Sequence, residues 1–252
     1  MLYGRLLIDA HCHVGEGVHY QLMPEELLQQ MDELGIDRAV LVPADRHIAV
    51  DNSEGNDFVL GAVERWPDRF LGFAVANPWF GERAVSELRR AVAAGLRGLK
   101  LDPTLQGFLL CDPLVHPLVE AAIDLSVPVY FHTGTPINAL PLQLLELALC
   151  YPEGRFIMGH LGNTDYWLDV PGALDRAPNV WGEISPNLAT VVKRLTDAGF
   201  ADRLLFGSDA PLTDLRLEVL KIHHWGISEG HRAGIMAENL LRLLSQDKGL
   251  TQ

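Results

Sequence analysis

The sequence predicts an α/β protein, a single (β/α)8 TIM barrel, and three observations lead there. Apolar, strand-like runs alternate with amphipathic helical stretches along the chain; eight such runs can be counted; and four of them end on a histidine or aspartate next to a turn-forming residue. Strands alternating with helices through short connections build a parallel sheet, and eight units suit closure into a barrel. Strands covered by helices on both faces read as near-continuous apolar runs, as these do.

The first strand covers residues 6–13 and closes on His11-Cys12-His13. A helix over 24–34 comes next, with Pro24 at its start and Gly35 as a left-handed stop. The second strand, 38–43, leads into a loop holding Arg46, His47 and Asn52. The third strand spans 70–77, and a helix over 81–94 stops at Gly95 before the fourth strand, 96–101. A helix over 113–125, the fifth strand at 127–132, a helix over 139–151 and the sixth strand at 155–160 repeat the unit. A weaker helix at 172–177, the seventh strand at 180–184, a helix over 188–198 and the eighth strand at 203–208 come next. Helices from about Thr213 and over 230–246 complete the chain, the last one Leu-rich and read as core. Each helix sets apolar residues on one face and charges on the other.

At 252 residues and 48% hydrophobic content, the chain can bury one large core, and residues 1–252 are read as a single domain. Every apolar run is interrupted short of the roughly 20 residues of a membrane span. Arg5 passes almost at once into the first strand, which is not the pattern of a secretory signal. Cys12, Cys111 and Cys150 form no spaced pairs, which suits a reducing compartment, so a cytoplasmic protein is the expectation. Cys12 is read as a buried packing residue. A net charge of -13 excludes nucleic acid as a natural partner while leaving a small anionic substrate open.

Residues two apart in a strand share a face, so His11 and His13 present two imidazoles to one point, half of a metal site. The remainder must come from the ends of other strands, and His132, His160 and Asp209 stand there. In such barrels the C-terminal strand ends carry the chemistry.

The motifs Asp9-Ala10-His11-Cys12-His13, Gly98-Leu99-Lys100-Leu101-Asp102-Pro103, Phe131-His132-Thr133-Gly134, Gly159-His160-Leu161-Gly162 and Phe206-Gly207-Ser208-Asp209 occur in order and in register. With Asn239-Leu240-Leu241-Arg242-Leu243-Leu244 at the closing helix, the whole chain resembles the amidohydrolase superfamily, most closely its amidohydrolase-2 branch. The resemblance implies that His11, His13, His132 and Asp209 hold one divalent ion. Imidazole and carboxylate donors suit zinc, the first expectation, and manganese or iron nearly as well. It further implies a metal-activated water, a proton taken up by Asp209, and a His160 that orients the water or stabilises charge on a substrate oxygen.

Strand alternation aims Lys100 into the barrel, where it meets a substrate carboxylate as a cation or pairs with Asp9 or Asp102; the resemblance adds, from other branches of the superfamily, a carboxylated Lys100 that bridges two ions with His132 and His160 as further ligands. One ion is favoured on the resemblance. Asp9 shares the face of His11 by alternation and is a candidate to orient an imidazole or Lys100; Glu183, near the end of the seventh strand, contacts substrate or a histidine, or forms an outward-facing salt bridge. Arg46, Asn77, Trp79, Gln106 and Asn138 lie in loops at the barrel mouth, and all but Gln106 are singled out as substrate contacts. His19, His116, His223, His224 and His231 follow no motif and are read as surface or packing residues.

The leading expectation is a metal-dependent hydrolase of a small carbonyl- or carboxyl-containing metabolite. The alternative is a metal-dependent non-oxidative decarboxylase of a small carboxylic acid, aromatic acids included; a non-catalytic metal-binding barrel is more distant, and a metal-free lactonase fits the complete ligand set least. Pairing of two copies through outer helices is compatible with this architecture.

Overall fold

The structure, a computed structural model, describes residues 4–245. Among them, the eight parallel strands run Ile8–Glu16, Arg38–Pro43, a third in two pieces (Phe70–Gly72 and Ala74–Val75), Leu99–Leu101, Val129–His132, Phe156–Gly159, Val180–Glu183 and Leu204–Leu205, and a two-residue strand, Gln21–Leu22, pairs antiparallel with the end of the first. Neighbours pair in parallel, with Ile8 opposite Arg38, Ala39 opposite Phe70, Ala74 opposite Leu99, Leu99 opposite Val129, Val129 opposite Phe156, Phe156 opposite Val180 and Gly182 opposite Leu204. The first strand returns to the segment after the eighth: Ala10 N donates to Phe206 O at 2.9 Å, Asp209 N to His11 O at 2.9 Å and His13 N to Ala210 O at 2.7 Å. These bonds bring the two ends of the strand series together.

Side chains alternate between two packed layers, as a strand period of two requires. Ile8, Ala10, Val40, Val42, Tyr130, Ile157, Trp181 and Leu205 fill the barrel interior, whereas Leu7, Leu41, Leu99, Leu101, Val129, Phe131 and Phe156 pack outward against the helices. Inside the first strand the register shifts between Asp9 and Cys12. Such a bulge inserts an extra residue and re-aims the side chains beyond it. It corrects the simple alternation: Asp9 does not share the face of His11. Cys12 is fully buried in the outer layer, as expected.

The third strand, expected over 70–77, breaks at Phe73, whose N–H still donates to Leu41 O at 3.0 Å. Its ring lies where a Cβ on Gly98 would come within 2.6 Å, so glycine is required there. The expected loop after the second strand instead holds two helices, Asp45–Ala49 and Asn52–Arg65. Their Asn, Asp, Ser and Gly content gives weak intrinsic helix propensity, and burial of Val59, Leu60 and Ala62 supplies what the sequence pattern did not display. The expected helix over 230–246 is Glu229–Ala233, a π-helical turn at Gly234–Glu238 and Asn239–Ser245, with position 246 outside the described residues. No helix among the described residues is long and apolar enough to cross a membrane.

Phe156 is fully buried and packs against Phe131, ring centroids 6.4 Å apart. Truncation to alanine leaves a cavity between sheet and helices, so Phe156→Ala should lower unfolding free energy by about 3–5 kcal/mol, measured by urea denaturation; a loss below ~1 kcal/mol would contradict this packing.

Candidate metal centre

His11, His13 and Asp209, all buried, offer ligand atoms within 4.8 Å of one another at the C-terminal end of the strands. The first strand supplies both imidazoles through the bulge. Asp209 comes just after the short eighth strand and takes a left-handed backbone, φ +57°, which turns its side chain toward the histidines. That conformation costs on the order of 1 kcal/mol for a non-glycine residue. The bonds from Asp209 N to His11 O and from His13 N to Ala210 O hold it.

Asp209 Oδ1 stands 3.4 Å from His11 Nε2 and 3.4 Å from His13 Nε2, yet it is a buried oxygen without a hydrogen bond. Buried polar atoms are rarely left so. An orphaned carboxylate oxygen between two imidazole nitrogens is what a divalent cation completes, and the donor types suit one. His13 Nδ1 lies 3.4 Å from Pro43 O, an acceptor only, so Nδ1 carries the proton and the Nε2 lone pair faces the centre.

Charges agree with this arrangement. Burial pushes the Asp209 carboxyl up, but whenever the imidazoles of His160, His11 and His13 carry an extra proton their charge outweighs burial, so the carboxyl gives up its proton before they give up theirs and stays well below the usual carboxylate range. Burial, reinforced by the Lys100 cation, drives His11 well below the ordinary histidine range. Burial also brings His160 down to about 3 and lowers His132 and Lys100. These three imidazoles are therefore neutral, as metal ligands must be.

The structure does not bring every expected ligand into the tight group. The His132 ring lies 4.6 Å from that of His160 and lines a cavity together with His13 and Asp209, with Nε2 3.1 Å from Thr135 Oγ1 and Nδ1 3.8 Å from Asp102 Oδ2. Lys100 does point inward and is fully buried, but its Nζ meets His11 Nε2 at 3.3 Å and the Tyr130 ring at 4.2 Å rather than pairing with Asp9 or Asp102. Asp9 Oδ1 accepts from His11 N at 3.1 Å and Ser208 N at 2.9 Å, so it binds main chain and orients no imidazole.

The mouth residues fare differently. A cavity of about 250 Å³ is lined by His13, His132 and Asp209 together with Tyr20, Asp45, Asp102, Thr104 and Thr135. Arg46, Asn77, Trp79 and Asn138 do not line it. Arg46 pairs with Asp51 and Glu54; Asn77 Nδ2 donates to Ala49 O, Trp79 Nε1 to Gly107 O and Asn138 Nδ2 to Phe108 O. Gln106 likewise ties Ile48 O and Ala76 O together. Apart from Arg46, these side chains fasten loop backbones to one another. A larger cavity of about 430 Å³, with Arg155 and Trp181 in its wall, opens at the opposite ends of the strands and holds none of the expected ligands.

Sequence reading passed over Tyr130, whose ring stacks on His11 at 4.3 Å; its place two residues before His132 was the available signal. Tyr20 sits 6.1 Å from the His13 ring and carried no signal. Glu183 is fully buried and faces His160, not an outer salt bridge.

His160 gives the metal-free fold a pH dependence. Its folded pKa, about 3, lies below the ordinary 6.5, so its contribution to stability is complete above 6.5 and is lost as pH falls toward 3. On metal-free protein, His160→Gln should recover about 2–3 kcal/mol of the stability lost between pH 7 and pH 4.5, read from urea unfolding at both pH values; an unchanged pH slope would refute a neutral buried imidazole.

Comparison with known proteins agrees with this geometry. The family model described as Amidohydrolase, the amidohydrolase-2 family, matches residues 8–245. A gamma-resorcylate decarboxylase of Rhodococcus jostii is 25% identical over 287 residues, covering 88% of this chain and 87% of that protein. The crystal structure of 5-carboxyvanillate decarboxylase from Novosphingobium aromaticivorans, complexed with manganese and 4-hydroxy-3-methoxy-5-nitrobenzoic acid, superposes with a TM-score of 0.79 at 17% identity, over 96% of each chain. Dihydroxybenzoic acid decarboxylase from Polaromonas sp. JS666, with manganese and 2-nitroresorcinol, gives 0.76 at 19% identity, over 96% of this chain and 97% of that one. These likenesses establish the TIM-barrel fold. They also overturn the leading expectation of a hydrolase, because the relatives matched along most of their length are decarboxylases; the ligand motifs that suggested hydrolysis are common to both reactions. With ligand order, barrel and family model in agreement, the chain belongs to the amidohydrolase-2 family.

Proposed function

We propose that this chain is a non-oxidative decarboxylase of an aromatic carboxylic acid, dependent on one divalent cation, with manganese in place of the zinc first expected. The observation that carries the reading is the unpaired Asp209 Oδ1 between two imidazoles, in a chain whose relatives include decarboxylases and whose structural neighbours include manganese-bound ones. In this reading residues 1–252 form one catalytic domain.

His11, His13 and Asp209 would hold the cation, with His132 completing the set. A cation held there supplies Lewis-acid polarisation of the substrate oxygens. The bond between ring carbon and carboxylate breaks, carbon dioxide leaves, and the ring carbon gains a proton in its place. Asp209, ionised and reaching the cavity, takes that proton from solvent and delivers it to the carbon. His160 remains neutral and offers a lone pair beside the reacting groups. Lys100, behind His11, adds positive charge where the substrate carboxylate approaches. Tyr20, Thr104 and Thr135 give the ring substituents hydrogen-bonding partners at the cavity wall.

Two outcomes are expected. Manganese-loaded protein supplied with carboxyl-labelled hydroxybenzoates should release labelled carbon dioxide, and in deuterated water the product should carry one deuterium on the former carboxyl-bearing carbon. Release of no labelled carbon dioxide from such acids, with turnover of an ester, amide or lactone instead, would overturn the reading. His13→Ala should lose manganese affinity by at least about tenfold while keeping its fold, measured by metal analysis after dialysis and by circular dichroism; full retention of the metal would remove His13 from the site.

A further inference from the structure

The C-terminal end of the seventh strand carries a buried acid that the decarboxylation step does not use. Glu183 is fully buried, and its carboxyl sits in a slot so narrow that a Cβ on Gly207 would come within 2.4 Å of Oε1. Ser185 N donates to Oε1 at 2.6 Å. Two donors converge on Oε2: Tyr130 O–H at 2.7 Å and His160 N at 3.2 Å. Burial pushes the Glu183 carboxyl up to about 8, but with two donors converging on Oε2 and one on Oε1 a bound proton belongs on Oε1, so Oε2 meets Tyr130 with a lone pair and the Tyr130 proton points toward Glu183.

The same tyrosine oxygen lies 3.4 Å from His160 Nε2. On the other side of the ring, His160 Nδ1 is 3.1 Å from Ser185 O, an acceptor only, and 3.6 Å from Glu183 Oε2. Nδ1 therefore carries the proton, and Nε2 holds the lone pair. A tyrosine hydroxyl free to rotate would donate to that lone pair and cap it. We infer that Glu183 is a positioning residue: by holding the Tyr130 proton away from His160, it keeps the Nε2 lone pair open to the reacting groups, while its contact with the His160 main chain fixes the ring. The catalytic part of this inference rests on the decarboxylase reading; the hydrogen-bond part stands on geometry alone.

Glu183→Gln tests it, because the amide is nearly the same size: with its oxygen held by the short Ser185 N contact, its NH2 takes the place of Oε2, gives up the His160 N contact and donates to Tyr130, which releases the hydroxyl proton toward His160. Nitrogen NMR of histidine-labelled, zinc-loaded full-length chain reads the ring directly. The wild type should show a protonated Nδ1 and an open Nε2; Glu183→Gln should show Nε2 engaged as an acceptor; and Glu183→Gln with Tyr130→Phe should restore the wild-type signal. With manganese and an active hydroxybenzoate, Glu183→Gln should lower kcat by about 10- to 100-fold with KM within about twofold, and the double variant should recover most of kcat. An unchanged His160 signal in Glu183→Gln, or no recovery in the double variant, would overturn the inference. If Glu183→Gln does not fold, Tyr130→Phe alone decides: the inference requires an unchanged Nδ1-protonated ring, and a shifted tautomer sinks it. If wild-type protein decarboxylates no aromatic acid, the functional reading fails while the NMR result still judges the role of Glu183.

Discussion

The seam between the first strand and the segment after the eighth is the constraint on which the site depends. Three main-chain hydrogen bonds cross it, and the Asp9 carboxylate joins its two sides through His11 N and Ser208 N. Asp9 is buried, and burial raises its pKa to about 6. Its Oδ1 satisfies two buried donors that would otherwise be costly to leave unpaired. Without that seam the bulged His11 and His13 would have no fixed relation to Asp209, which comes from the far end of the chain.

The seam brings together groups that repel or desolvate one another. Two imidazoles, a third from His160, the Lys100 ammonium and the Asp209 carboxylate share a small buried volume. Burial keeps His11 and His160 neutral, and acceptors such as Pro43 O and Ser185 O fix which nitrogen is protonated on His13 and His160. The outcome is a set of lone pairs directed inward around an oxygen that has no hydrogen bond of its own. Tyr130 is the shared wall: its ring stacks on His11 and underlies Lys100, and its hydroxyl meets Glu183 and His160.

The sequence made the barrel legible because buried parallel strands have to be apolar throughout and must end where the chemistry lies. His11, His13, His132, His160 and Asp209 stood out as polar residues closing apolar runs. The bulge at Asp9 to Cys12 was not legible, since one inserted residue leaves no compositional trace. The helix Asn52–Arg65 was hidden by residues with poor helix propensity that tertiary packing overrides. Arg46, Asn77, Trp79 and Asn138 have the residue types of a binding site, yet the last three hold loop backbones and Arg46 pairs with acids; polarity at a barrel mouth does not distinguish the two roles. Glu183 looked like one more strand-end acid, and only the slot beside Gly207 reveals its partners. The reaction itself could not be read from ligand motifs that hydrolases and decarboxylases share.

The central claim is that the seam assembles a cation site from His11, His13 and Asp209. Anomalous diffraction at the manganese edge, from crystals of the full chain grown with manganese, tests it most directly. A single strong peak is expected within bonding distance of His11 Nε2, His13 Nε2 and Asp209 Oδ1. A fully loaded crystal with its peak elsewhere, or with no peak between these three atoms, would contradict it.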